Sequence, residues 1–130
     1  MAKPKNKVRD ERILKKIQEV QKELWRCVKE FGIGQPADLS RVDPVVRRGV
    51  IQYVGDIFEL VKMLSDSTAK ELAWSNDLIR SFRNTIVHNY GSVDNVQAFA
   101  WIRYCVTNEM FRRVSTVLSG VQEHNATRKQ

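Results

Sequence analysis

The segment with the strongest claim to chemistry reads Arg83-Asn84-Thr85-Ile86-Val87-His88-Asn89-Tyr90. Arginine is a permanent cation whose planar fork of donors matches a phosphate, and histidine titrates near neutrality. Together they suit a phosphodiester. His88 would move a proton on or off a ribose 2′-hydroxyl or a leaving oxygen, while Arg83 steadies the charge on the phosphate. On a helical wheel at about 100° per residue, Ile79, Phe82, Ile86, Val87 and Tyr90 form one apolar arc, and Arg83 falls inside it. A guanidinium there must reach water or meet a fixed partner, because burying it alone costs several kcal/mol. Asn84 and His88 lie one turn apart on the other flank beside Ser81, where Asn84 can hydrogen-bond the imidazole and set its tautomer. The same residues also permit a plainer reading, a partly buried histidine and an ion-paired arginine. His88 and His124 are isolated in the sequence, with no carboxylate pair at ligand spacing, so neither a metal site nor a cofactor is expected.

The elements that must position this segment are helical, and no stretch alternates apolar and polar residues as a half-buried strand would. Ile13, Ile17, Val20, Leu24, Val28 and Phe31 step by three or four, which predicts a long amphipathic helix from about Val8 to Phe31. Gly32 should end it with a left-handed cap, and Gly32 to Arg41 should be a loop. Asp43-Pro44 reads as an N-cap followed by proline at the first helical position, opening a helix that runs to about Leu64. The apolar positions of that helix cover more than one face, which suggests two buried sides, one on the core and one available to a partner chain. Gly49 and Gly55 weaken it unless close helix approach offsets the loss. Thr68 and Glu71 resemble a capping box for a short helix, and Ser75 caps the next, over Asn76 to Tyr90. Asp94 and Gln97 open a last long helix ending at Gly120. These elements predict an all-α, up-and-down bundle of four main helices plus a short one. It spans residues 8–120, between a basic tail (1–7) and a polar, fraying one (121–130).

Composition bounds the reading. The chain has 130 residues, enough for one hydrophobic core, and 22 Lys and Arg against 15 Asp and Glu leave a net charge of +7. Such a balance favours a polyanionic partner, RNA or DNA first. Arg80, one turn before the motif, is the best phosphate contact, with Arg47 and Arg48 further candidates. Trp25, Trp74 and Trp101 could stack bases, but at helical spacing they read as core. Cys27 and Cys105 each fall in an apolar stripe and are expected as reduced core thiols. With no apolar span and no signal-peptide pattern, an intracellular, cytoplasmic protein is expected.

Arg83-Asn84-x3-His88-x-Tyr90, trailed by Val93-Asp94, resembles the Arg-x4-His-x-Tyr motif of HEPN-domain ribonucleases, and is most similar to their HepT-like toxin branch. The resemblance extends to helix order, length and a glycine–acid step in the second helix. There Gly55-Asp56 departs from the family's Gly-Glu, and the plainer reading of Asp56 is a salt bridge to Arg83 or Arg80, or simple exposure. The resemblance implies a metal-independent endoribonuclease toxin with Arg83 and His88 as its catalytic pair, Asn84 supporting them and Asp56 beside them. It implies a homodimer with a composite cleft for RNA. It also implies a cognate MntA-type nucleotidyltransferase antitoxin that silences the toxin by placing AMP on Tyr90. The alternatives are a catalytically inactive HEPN module that binds nucleotide or RNA for a nucleotidyltransferase, and a helical adaptor.

Overall fold

The computed structural model of the chain describes residues 4–88 and 93–128, and these are all-helical. The elements are α1 (Pro4–Glu30), a 3-10 helix (Pro36–Ser40), α2 (Pro44–Met63), α3 (Asp66–Leu72), α4 (Asn76–His88), α5 (Asn95–Val106) and α6 (Asn108–Arg128). Among the described residues, no helix is long and apolar enough to cross a membrane.

α1 is the spine. Its fully buried Leu14, Ile17 and Leu24 face the core, and the helix packs mainly on α2 and α6. It starts at Pro4, four residues earlier than the periodicity predicts, with proline where a missing N–H is harmless. Its basic first turns are therefore structure rather than tail. Lys7 Nζ donates to Thr68 Oγ1 at 2.9 Å, and Arg9 Nη2 to the Met63 carbonyl at 3.0 Å. Gly32 ends the helix as expected, with φ 65°; the Ile33 N–H bonds the Val28 carbonyl at 2.9 Å and the Gly32 N–H that of Lys29 at 3.3 Å. This is the paired-bond C-terminal motif that glycine adopts without a Cβ clash. The following loop contains one turn of 3-10 helix, anchored by buried Leu39 and by the Asp38 carboxylate, which accepts the Gly34 N–H at 2.8 Å.

Asp43 caps α2 as predicted, accepting the Val45 N–H at 2.8 Å. The breadth of apolar surface on α2 is used within the chain, because α1, α4, α5 and the 3-10 helix all pack on it. The two glycines differ in purpose. A Cβ on Gly55 would lie 3.3 Å from two ring carbons of Phe82, so that glycine admits α4, whereas a Cβ on Gly49 meets nothing within 4 Å. Gly49→Ala should therefore stabilise the protein by about 1 kcal/mol through helix propensity. A thermal melt should move up by about 3–5 °C; a lower melting temperature would show that the position is packed against something.

The short helix begins before the expected capping box. Ser65, not Thr68, is the N-cap of α3, and Thr68 is its buried third residue. Asp10 of α1, 1 % exposed, decides this register. Its carboxylate accepts the Ser65 N–H at 3.0 Å, the Ser65 hydroxyl at 2.5 Å and the Thr68 hydroxyl at 2.6 Å. A buried carboxylate with three donors meets the requirement that buried charge be hydrogen-bonded.

The expected last long helix is two. Thr107 adopts an extended conformation between α5 and α6, and its hydroxyl accepts the Met110 N–H at 3.2 Å, capping α6. A break exposes the last carbonyls of α5; buried Gln21 of α1 satisfies one of them, its Nε2 lying 2.9 Å from the Cys105 carbonyl oxygen. Beyond Gly120 the chain continues as helix to Arg128, with Val121 and Asn125 buried. Asn125 Nδ2 donates to the Lys7 carbonyl at 3.2 Å and to Glu11 at 2.9 Å, so this end of α6 is docked on α1.

Candidate functional site

Two features of sequence place α4. Ser75 caps it, its hydroxyl accepting the Leu78 N–H at 3.1 Å. Ile79 and Phe82 then drive its apolar face into the core. Phe82 meets Phe58 of α2 edge-on at 5.3 Å between centroids and Trp101 of α5 at 4.8 Å. Edge-to-face pairs of this kind hold a ring in one orientation as well as burying it. The next residue is Arg83.

Arg83 lies next to the buried ring without being buried. Its side chain is 50 % exposed and its Nε stands 3.5 Å from Glu59 Oε1 of α2. The stem follows the apolar surface and the charged head reaches the rim, which resolves the conflict seen on the helical wheel. The pair is open to solvent on both sides and so contributes little to stability. Between α2 and α4 lies a cleft of about 330 Å³ lined by Gln52, Asp56, Glu59, Arg83 and Ile86, with Gly55, Phe58 and Phe82 behind them. Its polar rim thus carries one guanidinium and two carboxylates.

Asp56 belongs to this cleft but does not bind Arg83. Among the described residues it forms no ion pair, and the partner of Arg83 is Glu59, one turn further along α2. Glu59 had no signal in the sequence that separated it from other surface acids; only the approach of α4 selects it. Partial burial raises the Asp56 carboxyl above its ordinary value, with Lys16 opposing the shift. A carboxyl raised by burial favours the fold while protonated, and that advantage is lost as pH rises through its folded value. Asp56→Asn should therefore match or exceed the parent's stability near neutrality, the difference closing as pH falls below the carboxylate range. Thermal melts over that range measure it, and a loss of stability near neutrality would mean that the charge is used.

The other expected residues divide sharply. Asn84 is exposed on α4 outside the cleft lining. Arg80 is exposed and sits 3.5 Å from Asp77, one turn before it. Arg48 is exposed on α2. Arg47, expected among the phosphate contacts, is structural. Its guanidinium donates to the Val93 carbonyl at 2.6 Å and twice to Asn95 Oδ1, at 2.8 and 3.0 Å, tying the start of α2 to the start of α5. The trailing Val93-Asp94 pair has a role there, since Val93 is buried and Asp94 caps α5 through the Val96 N–H at 3.1 Å. The side chain of His88 and the whole of Tyr90 lie outside the described residues.

Both cysteines are free thiols; burial pushes Cys105 strongly upward and Cys27 up to a smaller degree, so neither is poised as a thiolate. Among the described residues no group of three or more His, Cys, Asp and Glu side chains is placed to hold a metal ion. Trp74 and Trp101 are core, 5 % and 2 % exposed, but Trp25 is 41 % exposed, against the expectation from its spacing.

No family model, curated protein or solved structure matches this chain.

Proposed function

We propose that the chain is an endoribonuclease toxin of the HEPN type, built as an antiparallel helical bundle that works as a homodimer. The observation that carries the reading is Arg83, a half-exposed guanidinium at an open cleft, on the same helix and five residues before His88, in an all-helical chain of matching size. The net charge of +7 supports a polyanionic substrate. In the proposed reaction the ribose 2′-oxygen attacks the adjacent phosphorus and the bond to the 5′-oxygen breaks. A 2′,3′-cyclic phosphate and a 5′-hydroxyl result. His88 moves the proton, and Arg83 neutralises charge on the phosphate oxygens. Glu59 occupies Arg83 until the phosphate displaces it, an inexpensive exchange for a solvent-exposed pair. In the same reading the Tyr90 hydroxyl attacks the α-phosphorus of ATP on the antitoxin and pyrophosphate leaves. The AMP so attached adds bulk and negative charge to the motif.

The pairing of Arg83 with Glu59 also suits the quieter alternative, a nucleotide- or RNA-binding module that does not cut. Purified protein incubated with RNA in excess EDTA separates the two. Fragments ending in 2′,3′-cyclic phosphate and 5′-hydroxyl groups are expected of the toxin, whereas bound but intact RNA would leave the module.

A further inference from the structure

A second concavity of about 600 Å³ lies between α1, the turn after it, and α5, and it shares no lining residue with the Arg83 cleft. Trp25, Lys29, Phe99 and Arg103 are among the residues that wall it, and among the described residues no carboxylate lines it. The sequence repeats one device on its two helices, an aromatic residue followed four positions later by a cation, which puts both on one helix face. On α1, Lys29 Nζ stands 5.5 Å from the centre of the Trp25 ring; on α5, Arg103 Cζ stands 6.0 Å from that of Phe99. Lys29 and Arg103 are exposed, and Trp25 keeps two-fifths of its surface open although its helix offers a core face.

We infer that this groove binds single-stranded RNA, a base stacking on Trp25 while Lys29 and Arg103 hold its phosphates. Charge selects the occupant. Two cations with no acid among the described lining residues suit a phosphate backbone, and the part-open Trp25 ring beside them suits an unpaired base of any identity. The volume lies in the range that accepts a nucleotide-sized group. The choice of RNA over DNA rests on the proposed ribonuclease function; the stacking and the charge would serve either strand. The groove would hold a stretch of the strand away from the cleft where it is cut.

The test uses the full chain carrying His88→Ala, so that the probe stays intact, and a short fluorescein-labelled single-stranded RNA read by anisotropy. Binding should quench Trp25, a signal that Trp25→Phe removes while retaining an aromatic face. Lys29→Ala with Arg103→Ala, both at exposed heads that leave the core alone, should weaken binding about tenfold or more and lower the salt slope by about 1.4, at roughly 0.7 per lost phosphate contact. Unchanged affinity and slope in that double variant would overturn the groove. So would a mass increase with concentration that Trp25→Ala abolishes in a protein that does not bind the RNA, since the groove would then join two copies of this chain. Cleavage by the parent protein alongside unaffected binding in the groove variants rejects the groove and keeps the nuclease. Groove-dependent binding without any cleavage by the parent does the reverse.

Discussion

Arg83→Ala and His88→Ala should each reduce RNA cleavage by about 10²–10⁴-fold, the range associated with losing a positioned proton carrier or a charge-stabilising donor. Arg83→Ala should cost little stability, since the side chain is half exposed and its ion partner among the described residues is the equally open Glu59. Circular dichroism and a thermal melt on Arg83→Ala should therefore overlay the parent, so that lost activity is lost chemistry. Arg83→Lys should recover only part of it, because an ammonium is a point charge without the two-pronged donors that grip phosphate oxygens. Glu59→Gln supplies the opposite control. Removing the competing carboxylate leaves the guanidinium free for phosphate and should tighten RNA binding. Full cleavage by both alanine variants would end the nuclease reading, whatever the protein binds.

Phe82→Ala should lower stability by about 3–5 kcal/mol, the range for truncating a buried aromatic ring, and depress the melting temperature by about 10–20 °C. The ring is 4 % exposed and contacts Phe58 of α2 and Trp101 of α5 edge-on. Its two outer carbons also occupy the space that Gly55 leaves open. Truncation would leave a cavity among rigid rings that cannot close it, which is why the cost exceeds that of removing the apolar area alone. Since α4 carries both Arg83 and His88, the variant should lose cleavage as well, even below its melting temperature. Phe82→Leu refills much of the volume and should restore part of both stability and activity. A melting temperature within a few degrees of the parent would mean that α4 is held by something other than this ring.

Legibility followed the physics of each feature. Local chemistry was readable where a residue acts on its own backbone neighbours. Asp43, Ser75 and Asp94 cap the helices that follow them, and Gly32 ends the helix before it, because short polar side chains and an absent Cβ act within one turn. Features that depend on a distant partner were not readable. The start of α3 shifted to Ser65 because Asp10, 55 residues away in the chain, takes its amide. The break at Thr107 persists because Gln21, 84 residues from Cys105, satisfies an exposed carbonyl. The last two turns of α6 look too polar to bury, yet Asn125 docks on the start of α1.

By itself the sequence determined the all-helical class, the starts of α2, α4 and α5, the apolar stripes that make the core, and an Arg83–His88 spacing suited to phosphate chemistry. Periodicity and capping are local, and every one of these follows from residues within a few turns of one another. Only the tertiary structure decided that Arg83 stays half in water opposite Glu59 rather than Asp56, that Arg47 clamps two helices, and that Trp25 opens onto a cationic groove. Each of those outcomes depends on which helix faces arrive beside one another, and a side chain's partner, exposure and charge environment are properties of that packing.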